Sequence, residues 1–260
     1  PRVMGVMNVT KDSFYAKSRV VNEDDILNRA GEMLKEGADI LDVGGYSSRP
    51  GAKEVPIKEE IGLTSYAIEL IKSHFPDALI SIDTFRSEVA EAAMRAGATI
   101  VNDISAGTLD PKMVDFITAN QVPYIAMHMR GNPKNMLKMT KYTHIISEIL
   151  FYFSQLIERL KDKGHSDLII DPGFGFAKTT EQNFEILSNL ELFKNLESII
   201  LVGLSRKSMI YKTLKTDASE ALNGTTVLNT LALTKGADIL RVHDVRPAVE
   251  AIKLTLKTLT

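Results

Sequence analysis

Eight short apolar runs constrain the fold most strongly, because each of them leads into residues that can do chemistry. The runs and the polar residues after them are Val3–Met7 with Asn8, Asp39–Val43 with Ser47–Gly51, Leu79–Ile82 with Asp83, Thr99–Val101 with Asn102, Tyr124–Met127 with His128, Leu168–Ile170 with Asp171–Gly173, Ile199–Leu204 with Ser205–Lys207, and Asp238–Leu240 with Arg241–His243. Polar residues at the same end of eight strands are typical of a (β/α)8 barrel, whose active site lies at the carboxyl ends of its strands.

Amphipathic stretches between the runs support this fold class. We predict helices over Asp24–Glu36, Ile57–His74, Ser87–Ala96, Asp110–Asn120, Lys141–Lys163, Thr180–Leu190, Lys207–Lys215, Ser219–Lys235 and Val245–Leu256. Strict alternation of strands and helices indicates parallel strands, and 260 residues suit one barrel of roughly 250. A doubly wound open sheet alternates in the same way, but it would favour a Gly-x-Gly-x-x-Gly turn after the first strand, and none is present.

The composition excludes several classes of function. A net charge of −2 gives no electrostatic basis for binding nucleic acid or a membrane surface. The chain has no cysteine, so disulfides and thiolate metal sites are excluded. It also has no run of about 18 apolar residues that could span a bilayer. We expect a cytoplasmic protein that acts on small molecules.

Acidic and amide side chains at the strand ends suggest a site for a polar ring. Period-two alternation places Ser81 and Asp83 on one face of their strand. Asp83 could instead cap the following helix. The stretch Pro172–Phe176 after Asp171 alternates glycines with aromatic residues, which suggests backbone shaped for a flat ligand or simply a glycine-rich turn. Asn102 could bind the polar edge of a ring.

Basic residues at the same strand ends suggest an anion site. Arg241 and His243 share one face of the last strand, and a guanidinium matches the geometry of phosphate. The alternative is a buried ion pair between Arg241 and an aspartate from another strand. Ser48 and Arg49 in one loop, and the segment Ser205–Lys207, would add cations and hydroxyls. Their convergence in a nearly neutral protein predicts a polyanionic substrate group such as diphosphate.

The sequence leaves the roles of Asn8 and His128 open. The amide oxygen of Asn8 suits a hard cation, and magnesium held by a diphosphate needs only one or two protein ligands. Alternatively, Asn8 bonds to backbone across the barrel mouth. His128 lies between two methionines, where a hydrogen-bonded core histidine is the usual outcome.

Seven motifs occur in one order that resembles the dihydropteroate synthase family over essentially the whole chain. They are Gly5–Phe14, Ser48–Gly51, Ser81–Thr84, Val101–Ile104, Asp171–Phe176, Ser205–Lys207 and Arg241–Val245. The resemblance implies a single pterin-binding barrel over residues 1–260, without the family's usual N-terminal hairpin. It also implies an enzyme that joins (7,8-dihydropterin-6-yl)methyl diphosphate to 4-aminobenzoate, yielding 7,8-dihydropteroate and diphosphate. The family is the target of sulfonamides and is usually dimeric, so we expect a homodimer.

The same resemblance implies roles for individual residues. They are magnesium binding by Asn8, diphosphate binding by Ser48, Arg49, Arg241 and His243, pterin binding by Asp83, Asn102 and Asp171, and aminobenzoate binding by Phe176 and Ser205, with Lys207 between the two pockets. Asp83 and Lys207 are the expected catalytic residues. A carboxylate aimed at the cation left by diphosphate would stabilise the transition state more than the ground state.

The chain departs from the family pattern in its first loop. Lys11 stands where the family has proline, and Tyr15–Arg19 replace an Asp-Gly-Gly stretch. Position 48 is Ser where the family often has Thr, and the hydroxyl is retained. Two other functions stay open: a methyltetrahydrofolate-dependent methyltransferase, which binds no diphosphate, and an inactive paralogue that binds a pterin without turnover.

Overall fold

The eight apolar runs form eight parallel strands that close into a barrel in chain order. A computed structural model describes residues 1–9, 23–46 and 55–259. The strands are β1 (Arg2–Asn8), β2 (Ile40–Gly44), β3 (Leu79–Asp83), β4 (Ile100–Asp103), β5 (Tyr124–Met127), β6 (Leu168–Asp171), β7 (Ile199–Val202) and β8 (Ile239–Val242). Strand β1 pairs with both β2 and β8, so the barrel expectation is confirmed and the open sheet is wrong.

Helices follow the strands and cover the outside of the barrel. They are α1 (Glu23–Glu36), α2 (Ile57–His74), α3 (Ser87–Ala96), α4 (Lys112–Asn120), α5 (Ile145–Asp162), α6 (Thr180–Ser188), α7 (Ser208–Leu214), α8 (Leu222–Thr234) and α9 (Val245–Leu259). Short 3₁₀ helices span Met136–Lys138 and Leu190–Leu196. None of the helices in the described part of the chain is long and apolar enough to cross a membrane.

The largest difference from the predicted helices is the start of α5. The sequence predicts a helix from Lys141, but α5 begins at Ile145. The Glu148 carboxylate accepts hydrogen bonds from the backbone N–H groups of Thr143 and His144, at 2.7 and 3.0 Å. These bonds satisfy donors at the helix start and fix its first turn there.

Period-two alternation gives every strand an outer and an inner face. Outward residues such as Leu41 and Ile82 pack against the helices. Inward residues form an apolar layer that fills the barrel: Met4, Ile40, Ile100, Ile125, Ile169, Leu201 and Ile239. Two residues further along several strands, the inward side chains become polar. The mouth of the barrel therefore presents a polar layer above an apolar floor.

Candidate active site

An arginine on β8 joins two carboxylates from β2 and β3. The Arg241 Nε donates to Asp42 Oδ2 at 2.6 Å, and its Nη2 donates to Asp83 Oδ2 at 2.5 Å. Burial raises the pKa of Asp83 to about 7, while Arg241 lowers it and Asp42 raises it. The ion pair with aspartates from other strands, which the sequence left as the alternative for Arg241, is present here. Asp83 does not cap α3, because Arg86 occupies the position before that helix.

Sequence reasoning missed Asp42, although it is the most connected carboxylate of the site. Its side chain is fully buried. It accepts hydrogen bonds from Ser81 Oγ at 2.7 Å and from Asn102 Nδ2 at 3.1 Å, besides that from Arg241. Asp42 lies inside the apolar run that predicts β2, so it was counted as part of the strand. Its inward position, two residues after Ile40, was the available signal.

Asp171 and Lys207 lie on the β6 and β7 side of the mouth. Burial raises the pKa of the Asp171 carboxyl, and Lys207 lowers it. One oxygen of Asp171 accepts the backbone N–H of Gly173 at 2.7 Å, which ties the carboxylate to its own turn. Burial lowers the pKa of Lys207 to about 8, and the charge of Asp171 partly offsets that effect. This pairing places a carboxylate and an ammonium together beside the polar layer.

The Lys207 ammonium also contacts the turn that follows β6. Its Nζ donates to the carbonyl oxygen of Phe174 and lies 4.7 Å from the centre of the Phe176 ring. An ammonium over an aromatic face is an attractive cation–π contact. The ring of Phe176 is half-buried, whereas that of Phe174 is fully buried. Phe176 and Lys207 are therefore in contact, and their role in a second pocket stays a prediction.

Ser205 and His243 meet between the ends of β7 and β8. Ser205 Oγ lies 3.0 Å from His243 Nδ1 and accepts the backbone N–H of His243 at 3.2 Å. Arg206, between Ser205 and Lys207, is turned towards Asp244, which accepts from its Nε at 2.8 Å and from its Nη2 at 3.0 Å. Of the two cations in this segment, Lys207 belongs to the site and Arg206 has a structural ion pair.

Asn8 lies exposed at the carboxyl end of β1. It pairs in register with Gly44, and a Cβ on Gly44 would lie 3.3 Å from the Asp83 Cβ. Glycine at position 44 thus keeps space open beside Asp83. Ser48, Arg49 and the unusual first-loop residues Lys11 and Tyr15–Arg19 lie outside the described residues. Among the described residues, no three His, Cys, Asp or Glu side chains are grouped so that they could hold a metal ion.

Sequence reasoning also missed Glu60, a buried carboxylate that binds residues of the loop after β3. Glu60 of α2 is fully buried and accepts from Thr84 Oγ1 at 2.9 Å and from Arg86 Nη1 at 2.6 Å. Arg86 also donates to the carbonyl oxygen of Val55 at 2.7 Å. A charged residue within an amphipathic helix is usually solvent-exposed, so no pattern in the sequence indicated that this carboxylate is buried.

A family model described as "Pterin binding enzyme" matches residues 4–243. Together with the barrel and its polar mouth, this match defines the class: the chain is a member of the pterin-binding enzymes. It is 41% identical over 255 residues to the dihydropteroate synthase of Synechocystis sp., covering 97% of this chain and 88% of that protein. It is 39% identical over 262 residues to the Escherichia coli K12 dihydropteroate synthase, covering 100% and 92% respectively.

Solved structures give the same result. The Yersinia pestis dihydropteroate synthase with a sulfonamide drug complex superposes with a TM-score of 0.93 at 36% identity, covering 100% of this chain and 94% of that one. The Xanthomonas albilineans enzyme in complex with 7,8-dihydropteroate gives a TM-score of 0.89 at 32% identity, with the same coverage. Within its class, the chain belongs to the dihydropteroate synthases.

Proposed function

We propose that this chain condenses (7,8-dihydropterin-6-yl)methyl diphosphate with 4-aminobenzoate to give 7,8-dihydropteroate and diphosphate. The observation that carries the proposal is the polar layer at the barrel mouth, in a chain so similar to known dihydropteroate synthases. In that layer Asp42, Asp83 and Asn102 form a network with Arg241, and Asp171 lies beside Lys207.

The buried carboxylates suit a pterin. A pterin presents an amino group and a ring N–H side by side, and the carboxylate of Asp171 can accept both. When the carbon–oxygen bond to diphosphate breaks, positive charge develops on the pterin methylene and ring. The negative charge of Asp83 would stabilise that cation. The amine nitrogen of 4-aminobenzoate then forms the new carbon–nitrogen bond and releases a proton to solvent. Since the amine is uncharged at neutral pH, no strong general base is required.

Arg241 can bind the leaving diphosphate while it keeps its hydrogen bonds to Asp42 and Asp83. Its two bonds to Asp42 and Asp83 use two of the five N–H donors of a guanidinium, so other donors remain for a phosphate oxygen. We assign further diphosphate contacts to His243, Ser48 and Arg49. Phe176 and Ser205 would line the 4-aminobenzoate pocket beside Lys207.

We assign magnesium to the amide oxygen of Asn8. That side chain is exposed at the carboxyl end of β1, on the rim that holds Asp83 and Arg241, and offers the hard oxygen donor that magnesium prefers. Magnesium on the diphosphate would neutralise charge on the leaving group. Replacing Asn8 by alanine is expected to raise the magnesium concentration needed for half-maximal activity, and Asn120→Ala on α4 is the control. An unchanged magnesium requirement would remove Asn8 from this role.

We also propose a homodimer formed through α8 and α9. These two helices line a surface groove of about 760 Å³. Leu254, which lines the groove, is 71% exposed, and Val227 and Leu231 on α8 are also exposed. Exposed apolar patches of this kind often mark contact surfaces. Sedimentation should give a dimer for the unmodified chain and a monomer for Leu254→Glu, whereas Phe151→Glu on α5 should stay dimeric. A monomeric unmodified chain would contradict the proposal.

We also propose that the protein is located in the cytoplasm. This location is supported by the ordinary composition and the cysteine-free sequence, which suit a reducing compartment. Fractionation of source cells, with antibody detection of the chain, would test it.

The deciding experiment mixes the protein with the pterin diphosphate and magnesium, with and without 4-aminobenzoate. Diphosphate release with formation of 7,8-dihydropteroate establishes the activity. Pterin binding without release would support the inactive paralogue instead. Methyl transfer from methyltetrahydrofolate to a corrinoid, without diphosphate release, would support the methyltransferase.

A further inference from the structure

A buried lysine lies behind the turn that follows β6. The Lys178 side chain is 6% exposed, and this residue precedes α6 by two positions. Its Nζ lies 2.9 Å from the carbonyl oxygens of Gly173 and Phe176, and 3.3 Å from that of His128. Nδ1 of His128 is 3.1 Å away. Burial lowers the pKa of Lys178 well below its usual value, and four acceptors surround a nitrogen that carries two protons when neutral and three when charged.

The surroundings of His128 favour a ring whose Nδ1 accepts a hydrogen bond from Lys178. Its side chain is buried, as expected for a core histidine, with its ring edge-on to Tyr152 at 5.0 Å between centroids. Burial together with the charges of Lys178 and Arg130 lowers the pKa of His128 to about 2, so the ring is neutral. Nδ1 is then free of a proton when Nε2 carries it, and it can accept from Lys178.

The turn that Lys178 binds is stabilised partly by its own backbone, since the N–H of Phe176 donates to the carbonyl oxygen of Gly173 at 3.1 Å. Gly173, Gly175 and Ala177 all have positive φ angles, at 74°, 81° and 51°. Ala177 is a non-glycine residue in the left-handed region, a conformation that costs energy unless its surroundings enforce it. A side chain on Gly173 would collide with the carbonyl oxygen of His128. In this compact turn Lys178 binds the carbonyl oxygens of Gly173 and Phe176, and the Asn183 side chain accepts the N–H of Gly175 at 2.7 Å.

The opposite side of the same turn faces the candidate active site. Lys207 binds the carbonyl oxygen of Phe174 and packs over the Phe176 ring. A Cβ on Gly175 would lie 3.3 Å from Cδ of Lys207. The turn is thus held between two lysines: Lys178 binds the carbonyls of Gly173 and Phe176, and Lys207 contacts Phe174 and Phe176.

We propose that Lys178 is a positioning residue, which fixes this turn so that Phe176 and Lys207 are placed to bind 4-aminobenzoate. Lys178 does not itself touch substrate. The inference rests on the proposed function for the identity of that ligand. Its effect should fall on the 4-aminobenzoate half of the product more than on the pterin half. Of the pterin residues, Asp42, Asp83 and Asn102 do not contact the turn, and Asp171 contacts its start, at the backbone N–H of Gly173.

The cysteine-free sequence allows a direct test. The variant Lys178→Cys is alkylated in denaturant and refolded, so that the new thiol is the sole target in the chain. Reaction with 2-bromoethylamine rebuilds an ammonium at nearly the length of lysine, while 1-iodopropane gives an apolar side chain of the same length. Lys161→Cys, at an exposed position of α5, is treated identically as the control.

We expect the propyl form to bind 7,8-dihydropteroate about 10-fold more weakly than the unmodified chain, because a small misplacement of binding groups is costly. Its affinity for pterin alone should change much less, and its KM for 4-aminobenzoate should rise. The aminoethyl form should regain most of both losses. A folded propyl form with unchanged affinity for dihydropteroate would overturn the proposal, as would equal losses for pterin and dihydropteroate.

Two further measurements distinguish a failure of this inference from a failure of the proposed catalytic activity and from a failure of the variant to refold. Dihydropteroate binding needs no turnover, so a chain that binds the product but releases no diphosphate refutes the catalytic proposal alone. If the propyl form does not refold, Lys178→Gln, which keeps a hydrogen-bond donor but is too short to reach the same carbonyls, is measured in its place. It should weaken dihydropteroate binding in the same selective way, and unchanged binding in that variant would refute the role of Lys178.

Discussion

Arg241 and Asp83 form an ion pair across the barrel mouth, with Nη2 and Oδ2 separated by 2.5 Å, although β1 and β2 lie between their strands. The same guanidinium binds Asp42. One cation therefore binds two buried carboxylates, and its charge favours the ionised form of Asp83, which burial disfavours. Even so, the pKa of Asp83 stays near 7, so its charge depends on pH within the range where the protein would work.

Asp83→Asn should lose most turnover while the protein stays folded. The substitution keeps the shape of the side chain but removes the charge that would stabilise the pterin cation, and we expect kcat to fall by about 100-fold or more. Dihydropteroate formation and circular dichroism measure the two effects. Asp77→Asn, at an exposed position before β3, is the matched control. Wild-type turnover in the Asp83 variant would refute its assigned role.

Lys207→Ala should also abolish most turnover. The change removes the ammonium that contacts the Phe174 carbonyl and the Phe176 ring, so both pockets lose a common wall. A loss of about 100-fold in kcat/KM for 4-aminobenzoate is expected. Lys212→Ala, exposed on α7, should behave like the unmodified enzyme. Equal rates for the two variants would show that Lys207 is dispensable.

The pH dependence of kcat/KM should be bell-shaped, with its maximum between pH 7 and pH 8. The acidic limb reflects protonation of Asp83, whose pKa is about 7, and the alkaline limb reflects loss of the proton from Lys207, whose pKa is about 8. The limbs report groups of the free enzyme. Lys207→Arg should move the alkaline limb to higher pH because arginine keeps its charge. If the alkaline limb does not move, then it does not arise from deprotonation of Lys207.

Asp83 should also make stability depend on pH. Its pKa is higher in the folded chain than the usual value of 3.8, so the folded state binds the proton more tightly than the unfolded state. The resulting stabilisation is fully present below about pH 4 and is lost as the pH rises to about 7. Urea unfolding of the unmodified chain and of Asp83→Asn at pH 5 and pH 8 tests this. The variant should lose less stability over that interval, and identical losses would contradict the prediction.

Gly44→Ala should impair the site without unfolding the barrel. Its methyl group would lie 3.3 Å from the Asp83 Cβ and would push that carboxylate away from Arg241. We expect kcat/KM to fall by about 10-fold. Gly62→Ala on α2 meets nothing within 4 Å and should instead raise the unfolding free energy by about 0.5 to 1 kcal/mol. Unchanged activity in the Gly44 variant would show that the space beside Asp83 is not needed.

The fold was predictable because its signal is local. Each strand shows as an apolar run, and predicted and observed boundaries of β5 and of α2 coincide. Residues that follow a run, such as Asn102 and Asp171, were predicted for the site for the same reason. Asp42 was missed because it lies inside its run, and Lys178 because a single lysine in a loop resembles a solvated charge.

The contacts between site residues were less predictable from the sequence than the positions of those residues on the strands. Arg241 is 199 residues from Asp42 and 158 from Asp83 in the sequence. The choice between an ion pair and a free anion-binding arginine depends on closure of the barrel, which no local pattern contains. The same holds for Glu60, whose partners Thr84 and Arg86 lie on the loop after the next strand.

The apolar floor of the barrel has a consequence for proton exchange. In the described part of the chain, Ile40, Ile125 and Ile169 pack in an apolar layer below the polar one, so we expect water to reach Asp83 from the mouth. A ligand seated in the mouth would close that route. The protonation state of Asp83 would then be set when the ligand enters and kept until it leaves. Turnover would therefore report the acidity of the solution at the moment of capture, and not during the bond-breaking step.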